Sequence, residues 1–170
     1  MESIQKIITI TGIPSSGKST LARELADFYG NEAAVICVDY AYHIMAKEKG
    51  VDPHEFSNPR NWQKIPVAEL NRLKKEAYET LIEDEVEKNK NAKFLIIEGY
   101  GLCFWSDRLY LREALMKEYR NMQFLHIHKE VDFKTWCKQK GVIKTAKRAE
   151  EYDYLNGIAS LYIGSLIVKG

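Results

Sequence analysis

Apolar residues recur along this chain with two alternating periods. Ile7, Ile8 and Ile10 form a β-branched run that predicts a short buried strand. From about Lys18 to Tyr29 the period lengthens, and Leu21, Leu25 and Phe28 fall on one predicted helical face. The same alternation then repeats. Residues 33–39 (AAVICVD) read as a second buried strand ending in an acid, and residues 40–50 as a short helix. Residues 51–66 hold three of the four prolines and read as an ordered loop. A long amphipathic helix is predicted over about 67–89, with Leu70, Leu73, Ala77, Leu81 and Val86 facing inward. KFLIIE (93–98) is a third strand, again ending in an acid, followed by a helix near 107–120. A fourth strand over 122–128 leads to a helix near 131–138. A basic stretch over 138–148, one more helix and a short strand at 165–168 complete the pattern. The alternation predicts an α/β fold, with about five parallel strands between two helical layers. Ligands gather at the carboxyl ends of strands in such sheets, so Gly12, Asp39, Glu98 and the segment after His128 are expected to share one crevice.

Between the first strand and the first helix lies ITGIPSSGKST, residues 10–20. Its skeleton is Gly12, four residues, then Gly17-Lys18-Ser19. Glycines let successive backbone N–H groups converge on an anion, and the start of the following helix adds partial positive charge. Lys18 is placed to reach terminal phosphates and the Ser19 hydroxyl to ligate Mg²⁺. A chance match of these fixed positions is expected roughly once in 100 chains of this size or less often. The expected ligand is therefore ATP with Mg²⁺. Its cradle would be Gly12, Ile13, Pro14, Ser15, Ser16, Gly17, Lys18, Ser19 and Thr20.

Size and charge narrow the classes. At 170 residues the chain suits one domain, 1–170, and 25 basic against 24 acidic residues offer no general polyanion surface. A nucleic-acid partner is therefore not expected. Cys37, Cys103 and Cys137 are scattered and odd in number, which suits reduced thiols and a cytoplasmic setting. No apolar run reaches membrane-spanning length and none resembles an N-terminal signal, so no membrane partner is expected. A homodimer is an assembly the chain allows.

Switching GTPases, mechanical or transport ATPases and small kinases all use such a loop. The base-reading Asn-Lys-x-Asp motif of a GTPase and the Ser-Gly-Gly signature of a transporter ATPase are absent. A kinase needs a phosphate loop, Mg²⁺, an acid near the acceptor hydroxyl and mobile cations that close over the transferring group. Asp39, ending the second strand, is placed to take or orient the acceptor's proton, or else to cap the helix that follows. Glu98, ending the third, is placed near Mg²⁺ and the acceptor, or to hold the phosphate loop. Lys138, Lys140, Lys144, Lys147 and Arg148 form a lid at about 138–148, or a solvated helix face. Arg108 and Arg112, four apart, can grip a second anionic group or pair with Asp107 and Glu113. His126 and His128 share a strand face with no further cysteine or histidine nearby, and read as structural. Trp62, Tyr40 and Tyr100 are candidates for stacking on an acceptor base, or core.

On these residues the chain resembles the P-loop small-molecule kinases over nearly its whole length. That resemblance implies the three-layer α/β/α P-loop fold with a short lid. KGVIKTAKRAEEYDYLNGIASLY (140–162) is similar to the lid and following segment of adenylylsulfate kinases, and FWSDRLYLRE to their helix after strand three. The likeness implies that Lys140 and Arg148 contact the acceptor or the transferring phosphate and that Gly157 and Ile158 lie near the nucleotide. The middle of the chain departs from that family. VDYAYH offers only Asp39, and Arg60 stands alone where adenylylsulfate kinases carry an arginine-rich acceptor segment. There, NPRNWQKIP and IIEGY resemble uridine and nicotinamide riboside kinases instead. The expected function is ATP-dependent transfer of the γ-phosphoryl group to a hydroxyl of a small acceptor, nucleoside- or nucleotide-like. Lys18, Asp39 and Arg148 would be its catalytic residues. Arg60, Glu98, Tyr100, Arg108, Lys140 and Lys144 would join Asp39 at the acceptor, and Ser19 and Glu98 would serve the metal. A regulatory ATPase without an acceptor and a polynucleotide 5′-kinase are the alternatives.

Overall fold

Five strands run parallel in one sheet: β1 (Gln5–Thr11), β2 (Ala33–Cys37), β3 (Phe94–Glu98), β4 (Met122–Glu130) and β5 (Leu166–Lys169). Their spatial order in this computed structural model is β2-β3-β1-β4-β5. Residues 5–53, 59–158 and 166–169 are described. Helices α1 (Lys18–Tyr29), α2 (Tyr40–Lys49), α3 (Pro59–Trp62), α4 (Val67–Lys88), α5 (Trp105–Glu118), α6 (Phe133–Lys140) and α7 (Ala146–Ile158) connect or flank the strands. Among the described residues no helix is long and apolar enough to cross a membrane.

The near-continuous Ile and Leu content of β1 and β3 reflects burial on both faces, as parallel crossovers require. On one face Leu95 and Ile97 pack against Leu73, Tyr78 and Ile82 of α4 and Leu115 of α5. On the other Ile8, Ile10, Ile96 and Ile127 pack against Ala22 of α1. A smaller cluster of Ile13, Val131, Trp136 and Cys137 seats α6 beside the first loop.

Register brings the functional ends to one level. Ile10 and Cys37 are both opposite Glu98, and Thr11 is opposite His128. The expected crevice therefore forms above a single rim of the sheet.

Most predicted elements lie within a few residues of their expected bounds. Leu21 and Leu25 pack on the core as the pattern requires, but Phe28 is 81% exposed. The neighbouring Tyr29 takes the inward place instead, stacking on Phe94 with ring centroids 3.9 Å apart. The stretch expected as a loop over 51–66 contains the short helix α3, and residues 54–58 lie outside the described residues. Strand β4 continues to Glu130, pairing with Lys169 of β5, and Asp132 then caps α6 by accepting from Thr135 N at 2.9 Å.

Candidate active site

The loop after β1 is shaped for an anion. Gly12 has φ +147°, and a Cβ there would lie 2.6 Å from the Lys129 carbonyl oxygen and 2.8 Å from Ser16 Oγ. Ser15 at φ +61° and Gly17 at φ +89° are left-handed, a local alternation that turns consecutive N–H groups toward one point. Helix α1 starts directly behind them, with no side chain capping its first turn. Ser16 Oγ is buried with no hydrogen-bond partner, an orphaned donor inside the cradle. The loop is also held from outside. Cys103 Sγ donates to Gly12 O at 3.6 Å, and Trp136 Nε1 to Pro14 O at 2.9 Å. Lys18 is buried and donates to Ile13 O at 3.0 Å. Burial pulls its pKa down, opposed by the negative charges of Asp39 and Glu98.

A cavity of about 970 Å³ opens above the loop. Lys18, Ser19, Asp39, Glu98, Tyr100 and Arg148 of α7 all line it. Ser19 Oγ donates to Glu98 Oε1 at 3.1 Å. A hydroxyl and a carboxylate side by side at the phosphate cradle are the hard oxygen donors that Mg²⁺ takes, with phosphate and water completing its shell. Beside them, burial first and Glu98 second push the Cys37 thiol up to about 12, so it remains protonated.

Asp39 occupies the position before α2 but caps nothing with its side chain. Its oxygens face the turn after β3 instead, a 3-10 turn over Tyr100–Cys103. Oδ2 accepts from Tyr100 N at 3.3 Å and Oδ1 from Gly101 N at 3.1 Å. Gly99 makes the approach feasible, with φ +153° and ideal Cβ positions only 2.7 Å from Val38 Cγ2 and 2.8 Å from Asp39 Oδ1. Gly99→Ala is accordingly expected to destabilise the fold by more than ~1 kcal/mol, read from urea unfolding midpoints. Unchanged stability in that variant would contradict the tight approach.

The remaining candidates divide. Tyr100 lines the cavity with its hydroxyl buried and unpartnered, and burial raises its pKa. Lys140 and Arg148 both ion-pair with Glu151, and Lys140 also lies over the Trp136 ring at 4.6 Å. Lys147 joins Arg148 at the cavity, whereas Lys144 is exposed and Gly157 has open space around it, both away from the lining. Arg108 lies away from it too, donating to Leu102 O at 3.0 Å and Cys103 O at 3.3 Å, and so steadies the turn that holds Asp39. Arg112 is exposed. The side chains of Arg60 and Ile158 lie outside the described residues. Thr20 is exposed in the first turn of α1, and Tyr40 is exposed at the start of α2. Trp62 packs against Tyr42 and Phe104 at centroid distances of 5.5 and 5.1 Å. His126 and His128 bond the Thr9 and Thr11 hydroxyls through Nδ1 at 2.6 and 2.8 Å, ties between β4 and β1. Among the described residues no group of three or more His, Cys, Asp or Glu is arranged to hold a metal alone.

Sequence reasoning gave no role to Trp136, Tyr42 or Glu151. Glu151 had a local signal, since it stands three residues after Arg148 on a predicted helix. Trp136 had none, because its partner Pro14 is 122 residues away.

No family model matches the chain. It is 38% identical over 79 residues to a cytidylate kinase of Methanopyrus kandleri, a stretch covering 46% of this chain and 40% of that protein. The matches span two fifths or less of the length of the curated relatives. Among solved structures, a gluconokinase from Sinorhizobium meliloti 1021 superimposes with a TM-score of 0.52 at 14% identity, covering 99% of this chain and 84% of that one. A shikimate kinase from Bacteroides thetaiotaomicron does so with a TM-score of 0.51 at 16% identity, covering 89% and 75%. The fold is that of the P-loop small-molecule kinases. Within that fold, the sequence likeness is to a nucleotide kinase.

Proposed function

We propose that the protein is an ATP-dependent kinase that phosphorylates a hydroxyl or phosphate oxygen of a small nucleoside- or nucleotide-like acceptor. One observation carries this reading: Asp39, fixed by two backbone N–H groups, faces the same cavity as Lys18 and the Ser19–Glu98 pair. A positioned carboxylate lining that cavity supports a kinase over a regulatory nucleotide switch, which has no acceptor to orient. The partial likeness to cytidylate kinases supports the nucleotide-like side of the acceptor range.

The chain's own groups divide the work. Backbone N–H groups of the loop and the start of α1 hold the phosphates, and Ser16 Oγ gains the partner it lacks. Lys18 exchanges the Ile13 carbonyl for phosphate oxygens and neutralises charge that moves to the leaving side. Ser19 and Glu98 would hold Mg²⁺, which when bound neutralises and orients the phosphates. Asp39 orients the acceptor oxygen and, where that oxygen is a hydroxyl, takes its proton as the bond to the γ-phosphorus forms and the bond to the ADP oxygen breaks. Arg148 leaves Glu151 to cover the transferring group.

A coupled assay of ADP release tests this, with cytidylate first, then other nucleotides, nucleosides, adenylylsulfate, sugars and oligonucleotides. One acceptor class is expected to raise ADP release well above the rate with ATP and Mg²⁺ alone. Equal release whatever is added points to a regulatory ATPase and sinks the kinase reading. Stimulation by oligonucleotides only would make the acceptor a polynucleotide end.

A further inference from the structure

Beyond the cavity that Asp39 lines lies a buried charge pair that is not part of its lining. Lys74 and Asp107 are both buried and ion-paired. Both carboxylate oxygens of Asp107 are fully used. Oδ1 accepts from Tyr42 Oη at 2.8 Å and from Tyr78 Oη at 3.1 Å. Oδ2 accepts from Lys74 Nζ and from Ser106 Oγ at 3.0 Å. The Lys74 ammonium also lies 4.0 Å from the Trp62 ring centroid and 5.5 Å from that of Phe104. Taking two charges out of water is costly, and well-packed apolar residues often serve stability equally well. The pair is better understood through the geometry it imposes.

That geometry leads to Asp39. The two phenol oxygens gathered by Asp107 press on Gly101, where a Cβ would lie 2.8 Å from Tyr42 Oη and 3.0 Å from Tyr78 Oη. The Gly101 N–H, on this same residue, donates to Asp39 Oδ1, and its neighbour Tyr100 donates to Oδ2. Phe104 closes the other end of the turn. It takes Lys74 on its ring and the Tyr100 ring edge-on at 5.3 Å, and its N–H donates to Gly101 O at 2.9 Å. Asp107 thus sets the turn from below and Lys74 sets its end, while its N–H groups grip both Asp39 oxygens.

We infer that Lys74 and Asp107, with the phenols of Tyr42 and Tyr78, are positioning residues that fix the Asp39 carboxylate for the acceptor through the Tyr100–Cys103 turn. The inference rests on the reading of Asp39 as the acceptor-facing group. Neither charged residue lines the cavity; both act through Gly101 and Phe104.

Tyr78→Phe is the probe, because Tyr78 is fully buried, does not line the cavity and keeps its shape on losing the hydroxyl. Transfer is expected to slow by about two- to thirtyfold, the range that packed networks transmit, with the ATP dissociation constant unchanged. Amide hydrogen exchange at Tyr100 and Gly101 is expected to quicken while the amides of β1 and β3 keep their protection. In an Asp39→Ala background the same substitution is expected to add nothing to the loss, since no carboxylate is left to position. Equal factors in both backgrounds, or exchange that rises uniformly across the sheet, overturn the inference. Asp39→Ala alone separates the two claims. Intact transfer in that variant removes the Asp39 reading itself. Collapsed transfer there, with Tyr78→Phe indistinguishable from the native protein, removes only the positioning network. If Tyr78→Phe folds poorly, Ser106→Ala repeats the test from the opposite oxygen of Asp107.

Discussion

Lys18→Met is expected to reduce transfer by at least about a hundredfold, because it deletes a preorganised positive charge where the phosphoryl group departs. The apolar stem survives, so packing under the phosphate loop is kept. Stability should move in a different direction from rate. Burial lowers the Lys18 pKa in the folded, nucleotide-free protein, with Asp39 and Glu98 opposing. Below that lowered value the protein must bury an ammonium, and the desolvation cost is present in full. As pH rises through the lowered value toward the ordinary lysine value, the folded state sheds the proton first and the cost is relieved. The native protein should therefore gain stability across that window relative to Lys18→Met, which carries no charge to shed. Melting curves of both proteins against pH, beside their coupled rates, check the pair of expectations. Native turnover in the variant would remove the phosphate loop from the reaction.

Asp39→Asn is the second large effect. Asparagine keeps the size of the side chain and one oxygen able to accept from the Gly101 N–H, but it carries no negative charge. If the carboxylate takes the acceptor's proton, transfer should fall by roughly 10²–10⁴-fold. The ATP dissociation constant should stay near its native value, since the phosphates are held by the loop after β1. The start of α2 should be unaffected too, because the Asp39 side chain makes no capping bond there. Rate, ATP affinity and melting temperature measured on this one variant separate the roles. A parallel loss of stability would mean that the carboxylate mainly braces the turn. A weaker Mg²⁺ dependence with turnover intact at saturating metal would place it beside the ion instead.

The parts of the site that were legible in the sequence are those encoded within a few residues. Gly12, Gly17, Lys18 and Ser19 announce the phosphate cradle by spacing alone, and the rim positions of Asp39 and Glu98 follow from apolar runs that stop at an acid, although β2 itself ends at Cys37. What sequence reasoning could not see is which partner each polar group chooses. For Asp39 the crevice position favours the acceptor role, yet capping α2 stays open as the rival, because both roles suit the same residue at the same place. The choice was made by Gly99, whose missing side chain lets the next turn's N–H groups reach the carboxylate first. Arg108 and Arg112 looked like a pair by helical spacing, yet Arg108 is committed to the carbonyls of Leu102 and Cys103 before α5. Asp107 read as a surface partner for those arginines. It lies instead against Lys74, which helical periodicity puts on the inward face with Leu70 and Ala77 but whose charge argues for solvent. Phe28 misled for a local reason, since two adjacent aromatics compete for one inward position at a helix end.

The phosphate loop itself is local in sequence but not in construction. Its shape depends on Cys103, 91 residues from Gly12, on Trp136, 122 residues from Pro14, and on the Lys129 carbonyl against Gly12. Contacts of such separation form only after much of the chain has already closed on itself. Helix α1 and strand β1 can therefore assemble early without yielding an anion site, and the cradle acquires its final form only when β4 and α6 have docked. Competence to bind a triphosphate then marks the end of folding. A nascent chain released before residue 136 would carry the whole glycine-lysine motif and still lack the indole that braces it.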